Sequence, residues 1–283
     1  MLHKRNEMLQ ESEIIPYFLS PPPGERIIVL APHPDDETLG CGGTIRLLVE
    51  AKKDIKVVFL TSGDKADPAH KLSHQIVAGG FACKGGPDGL SGRSPVAAYS
   101  LIREKEAERA LKVLGVSDFE FLRFPDRELH GGREDVLLAL LKTVGEFMPD
   151  TIYTPSMLEV NPDHRAAAAL SMEIQRKYLR CSAGSGSQAP VRLVFYEVTT
   201  PLRPNVLVDI TPVYRRKKRA MKRYGSQLKV RDYLRHITAL NTIRALTVSG
   251  PRYVEAFWSL ERPMSGEEIA DWLSYRKTPT PGY

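Results

Sequence analysis

Apolar residues along this chain gather into short, nearly continuous runs: "RIIVLAP" (26–32), "IKVVFLTSG" (55–63), "DFEFLRF" (118–124), "DTIYTPS" (150–156), "VRLVFYEV" (191–198) and "NVLVDI" (205–210). Their length and their β-branched and aromatic content predict strands. Between them the period changes. Ala107, Ala110, Leu111 and Leu114 in one segment, and Leu137, Leu140, Leu141 and Val144 in another, recur at i, i+3, i+4 and i+7, which predicts helices with one apolar face. A strand apolar at successive positions buries both its faces, as in a parallel sheet covered by crossover helices. The expected fold is α/β and Rossmann-like, a mostly parallel sheet with helices on both faces.

Two stretches interrupt this rhythm. Residues 64–100 contain "GGFACKGGPDGLSGRSP", too rich in glycine to pack as an element. Following a strand that ends at Gly63, they are expected to form a loop over the carboxyl edge of the sheet, where open α/β folds bind ligands. "CSAGSGSQAP" (181–190) reads as a flexible connector. Beyond residue 210 the pattern turns mainly helical, with Thr211 as a cap and Pro212 in a first turn. The chain therefore divides into an N-terminal extension (1–25), a core (26–210) and a mainly helical C-terminal region packed on it (211–283).

With 283 residues, 42% of them apolar, the chain can bury a large core. It has no apolar stretch of membrane-spanning length, and "MLHKRNEMLQESEIIPYF" lacks the continuous hydrophobic segment of a secretory signal, so the cytoplasm is expected. Cys41, Cys83 and Cys181 are too few and too scattered for a disulfide framework or a cysteine-rich zinc site. The net charge of +6 is local, because "RRKKRAMKR" (215–223) holds seven basic residues and no acid. This run reads as a solvated helix face, with peripheral contact to an anionic or lipid-linked substrate as the alternative. Nucleic acid is not expected, since aromatic residues near the run are limited to Tyr214 and Tyr224.

The chemistry concentrates just past the first predicted strand, in "APHPDDETLGCGG" (31–43). Crowding acids there is costly unless a cation compensates. His33 and Asp36 can offer nitrogen and oxygen to a divalent metal, Asp35 is free to handle protons, and Glu37 can bond backbone or support the site. A catalytic zinc site normally takes three protein ligands and keeps one position open. "TPSMLEVNPDHRAAAAL" (154–170) supplies the third candidate, His164, after the fourth strand, flanked by Asn161 and Asp163.

"HPDDE", "TSGD" (61–64), "REKEA" (103–107), "FPDRELH" (124–130), "NPDHRAA" (161–167), "VDIT" (208–211) and "YGSQL" (224–228) occur in the order seen in the PIG-L/LmbE-like N-deacetylases, and the chain resembles that family from about residue 26 to about 260. The resemblance implies an LmbE-like fold and a hydrolase of amide C–N bonds. It implies zinc, or another divalent transition metal, held by His33, Asp36 and His164, with Asp35 as general base and then acid in removing acetyl from an N-acetylated amino sugar or sugar conjugate. Arg103 and Asp126 match positions that contact the sugar. Family members usually carry histidine where this chain has Asn161, which can donate a hydrogen bond to an oxyanion but carries no charge. His70, His74 or His130 are candidates to replace it, Asp64 is a candidate polar support, and Glu197 is a weaker one. The alternative reading is a catalytically weak sugar- or glycan-binding module on the same scaffold. The substrate and any oligomerisation are left open.

Overall fold

The computed structural model describes residues 19–66, 95–185 and 191–273. Most of the expected 64–100 loop, most of the N-terminal extension, and His70 and His74 lie outside the described residues. The elements follow in the order β1 (Arg26–Ala31), α1 (Asp36–Glu50), β2 (Asp54–Thr61), α2 (Pro95–Leu114), β3 (Asp118–Phe124), α3 (Arg133–Phe147), β4 (Thr151–Pro155), α4 (Pro162–Ser185), β5 (Arg192–Tyr196), β6 (Val206–Asp209), α5 (Tyr214–Met221), α6 (Gly225–Leu228), α7 (Tyr233–Arg244), β7 (Val254–Leu260) and α8 (Gly266–Leu273).

The strands form one sheet in the order β3-β2-β1-β4-β5-β7-β6. β1 through β5 are mutually parallel, whereas β7 runs antiparallel to both β5 and β6. The double-sided burial expected of the strands is present. Ile27, Val29 and Ala31 of β1 join α1, α2, α5 and α7 on one face. Ile28 and Leu30 join α3 and α4 on the other. The predicted helix stripes sit accordingly, with Ala107, Ala110, Leu111 and Leu114 in the first layer and Leu137, Leu140 and Val144 in the second.

Three local expectations are revised. The C-terminal region contributes β7 as well as helices, and β7 inserts between β5 and β6. Its sequence, "VEAFWSL", places Glu255 inside the sheet, so the pattern of a buried strand is broken by a buried charge. Residues 181–185 continue α4 rather than starting a connector. Thr211 does not cap a helix: its hydroxyl accepts from the amides of Arg252 and Tyr253, pinning the entry to β7, and α5 starts at Tyr214.

Strand order puts the ends of β1, β2, β3 and β4 side by side. Their carboxyl termini feed the segments 32–35, 62–64, 125–130 and 156–161, so one edge of the sheet collects residues far apart in sequence. The fit behind β1 is tight. A Cβ on Gly40 would lie 2.2 Å from Cδ2 of Tyr196, whose ring is held by the hydroxyl's bond to the Leu30 carbonyl at 2.7 Å. Gly40→Ala should therefore destabilise the protein by about 1–3 kcal/mol through overpacking. Urea unfolding measures this, and an unchanged midpoint would mean the ring yields freely.

Candidate active site at the carboxyl edge of the sheet

His33, Asp36 and His164 converge. Asp36 Oδ2 stands 3.1 Å from His33 Nδ1 and 3.1 Å from His164 Nε2, and one ligand atom from each residue lies within 4.8 Å of the others. All three side chains are buried. His33 comes from the β1–α1 turn and Asp36 from the first residue of α1. His164 comes from the first turn of α4, which Asn161 caps by accepting the Asp163 amide at 2.8 Å.

Charge explains the protonation behaviour of this cluster. Burial alone would lower the pKa of His33, but Asp126, Asp163 and Asp36 outweigh it and push it well up. His164, likewise opposed by burial, rises to about 9 beside Asp36 and Glu159. Asp36 goes down despite burial, because both imidazoles favour its ionised form. The acids exceed the cations around these two rings, and protons are drawn in to compensate. A divalent cation would meet the same imbalance with the imidazoles neutral, and the two-nitrogen, one-oxygen donor set suits such an ion.

Each imidazole is also held from behind. His33 Nε2 lies 3.2 Å from Asp126 Oδ1 and 3.4 Å from Asp163 Oδ2. His164 Nδ1 lies 3.4 Å from Glu159 Oε2. These carboxylates are themselves fixed by backbone. Asp126 accepts from the Lys65 amide, and Asp163 from the amides of Arg127 and Leu129. Glu159 accepts from the amides of Val198, Thr199 and Thr200. Orientation of a ligand ring by a carboxylate on its far nitrogen is the usual support for a metal-binding histidine.

Asp35 occupies a strained position, with φ 145°. Burial raises its pKa to about 7, against the opposing charge of Arg103. Arg103 Nη2 stands 3.1 Å from Asp35 Oδ2. The same guanidinium donates to the carbonyls of Pro34 and Gly63 at 2.6 and 2.8 Å, so it ties the turns after β1 and β2 together. Glu37 accepts from the Asp35 amide at 3.2 Å and from the hydroxyls of Thr38 and Tyr224.

The expected sugar contacts are therefore engaged within the protein. Arg103 is only 2% exposed, with its two terminal nitrogens on Asp35 and two backbone carbonyls, and Asp126 is buried against His33 and Lys65. Asn161 is partly buried and commits its side-chain oxygen to the α4 cap, leaving its amide nitrogen as the donor. His130 is exposed. Asp64 accepts from the Ser62 hydroxyl, and Glu197 pairs with Arg244. Sequence reasoning missed Glu159. Its only signal is an acid between the apolar residues of "MLEV", and nothing local shows that it faces a histidine five residues on.

Residues 28–175 match the model of the PIG-L family, described as GlcNAc-PI de-N-acetylase. Over 243 residues the chain is 28% identical to a diacetylchitobiose deacetylase of Thermococcus kodakarensis, covering 82% of this chain and 81% of that protein. It is 28% identical over 143 residues to a probable N-acetyl-alpha-D-glucosaminyl L-malate deacetylase 2 of Bacillus anthracis, covering 50% of this chain and 54% of the other. The fold is similar to that of an N,N'-diacetylchitobiose deacetylase from Pyrococcus horikoshii, with a TM-score of 0.67 and 23% identity over 95% of this chain and 93% of that one.

The support geometry makes Glu159 testable. Glu159→Ala should weaken metal affinity about 10- to 100-fold, measured by competition with a chelator. Unchanged affinity would show that His164 needs no carboxylate behind it.

Proposed function

The chain belongs to the PIG-L family of de-N-acetylases, and from that premise we propose that it is a metal-dependent hydrolase that removes acetyl from an N-acetylated amino sugar or sugar conjugate. The observation that carries this reading is the ionisable Asp35 beside the convergent His33, Asp36 and His164. A pure binding module has no use for a buried, strained carboxylate next to three metal-ligating atoms, which favours catalysis over the alternative of a glycan-binding scaffold.

His33, Asp36 and His164 would hold the metal, and zinc fits two imidazoles and a carboxylate. When bound, such an ion supplies Lewis acidity, lowering the pKa of water and polarising an acetamide carbonyl. Asp35 is the general base that accepts a proton from the attacking water and then returns it to the departing amine. Arg103 keeps that carboxylate in place through its bond to Oδ2 and its grip on the two turns. Asp126 and Glu159 fix the two rings. Asn161 can donate its amide hydrogen toward the developing oxyanion, a neutral contribution smaller than that of a charged donor.

The basic run supports a preference within this substrate class. Lys217 is buried, but Arg215, Arg216, Lys218, Arg219, Lys222 and Arg223 are exposed, and among the described residues none of these six forms an ion pair. α5 runs alongside α1 in the opposite direction: Lys217 sits beside Gly42, whereas Tyr224, just past α5, reaches Glu37. The cations therefore advance toward the site edge, an arrangement that attracts substrates bearing phosphate or carboxylate.

Asp35→Asn should retain the metal and lose about 10²- to 10⁴-fold in turnover, read as free amine released from a panel of N-acetylated sugars, while His164→Ala should lose the metal. If Asp35→Asn keeps full turnover, the assigned base is wrong. Raising salt should increase KM for an anionic N-acetyl sugar and leave a neutral one little changed. An equal response of both substrates would remove the cationic face from substrate capture.

A further inference from the structure

α1 is not one continuous helix. Cys41 has φ −136° and ψ 22°, outside the helical range, so a short first segment carrying Asp36 and Glu37 is broken from a longer second one. The Cys41 thiol donates to the Glu37 carbonyl at 3.3 Å, joining the two segments across the break. A helix that restarts here exposes backbone amides with no partner of their own. They are met from the far side of the fold: Glu255 of β7 accepts from Gly43 N at 2.8 Å through Oε1 and from Thr44 N at 2.7 Å through Oε2.

The capping carboxylate is fully buried, and so is its counter-ion. Lys217 Nζ lies 2.6 Å from Glu255 Oε1, and neither side chain is exposed. The backbone at Gly43 is closely packed as well, since a Cβ there would meet Ile210 at 2.6 Å. A buried charge pair contributes little net stability and is costly to break, so stability alone is a weak reason for this arrangement.

We propose that Lys217 and Glu255 are positioning residues for the catalytic turn: by clamping the restart of α1 at Gly43 and Thr44, they hold the break at Cys41 and so set the direction in which the first segment presents Asp35 and Asp36. This rests on the deacetylase reading for its kinetic consequence but not for its structural one. Lys217 thereby leaves the solvated basic run and joins the interior, and the strand missing from the sequence pattern gains a role at the site.

Two changes separate positioning from simple stabilisation. Glu255→Gln with Lys217→Met removes both charges together, which avoids an unpaired buried ion, while the glutamine keeps one acceptor oxygen and sets a donor-only NH2 group where the second oxygen met the backbone. Glu255→Asp keeps the charge and shortens its reach. In both, hydrogen exchange at the Gly43 and Thr44 amides should accelerate at least ten-fold, and the visible absorption band of the cobalt(II)-loaded protein should shift as Asp36 moves. The double variant should recover a thermal midpoint near that of the parent yet have kcat reduced about ten- to a hundred-fold, with KM within about two-fold. Parent-like exchange, cobalt band and kcat in a folded variant of either kind would overturn the proposal. If the parent protein releases no amine from any N-acetyl sugar, the deacetylase reading fails, and the exchange and cobalt measurements still decide this inference.

Discussion

The shared carboxylate of Asp36 is the constraint around which the site is organised. It lies 3.1 Å from a nitrogen of each of two imidazoles that are 131 residues apart in the chain, with little solvent to weaken the attraction. Buried opposite charges at this range interact far more strongly than in water, but each has also lost its hydration. The cluster therefore requires exact partners, and the neighbouring elements supply them. The two rings are braced by Asp126, Asp163 and Glu159, and those acids are braced in turn by backbone amides from three separate loops.

This second layer explains why so many acids tolerate one another. Asp126 and Glu159 stay below the usual carboxylate range despite burial, because the imidazoles of His33 and His164 favour the ionised form and the amides of Lys65 and Val198 add to it. Asp35 and Glu37 show the opposite behaviour. Burial dominates for both, and each rises to about 7. Within three consecutive residues the fold thus creates one carboxylate that holds its charge, Asp36, between two that release or take a proton near neutrality. Their environments, rather than residue type, divide the labour.

Backbone restraint supports this electrostatic division. Asp35 is held at positive φ by its amide's bond to Glu37, by its carbonyl's acceptance of the Thr38 and Leu39 amides and by Arg103. Strain of that kind persists only where surroundings over-determine the conformation. Gly40 and Gly43 let the helix approach Tyr196 and Ile210 closely, and the Glu255 cap holds its second half. The Asp35 carboxylate is consequently held by Arg103 of α2, which also grips the turns after β1 and β2, and not by its own turn alone.

The sequence by itself determined the strands through β6, the apolar helix faces and the residues His33, Asp35, Asp36 and His164, because these signals are local: periodicity over a few residues, or chemically unusual clusters at strand ends. It also carried the motif order by which the family is recognised. Tertiary structure alone decided that Arg103 and Asp126 engage Asp35 and His33, that Asn161 caps α4, that Glu159 faces His164, and that Lys217 leaves a basic run to meet Glu255. β7 belongs to this second group, since a buried charge interrupts its apolar pattern. The physical reason is common to all of them: a polar side chain's role is set by the partner that desolvates and neutralises it, and whether that partner is tens of residues away, as for Arg103 and Asp35, or only five, as for Glu159 and His164, the fold decides that they meet.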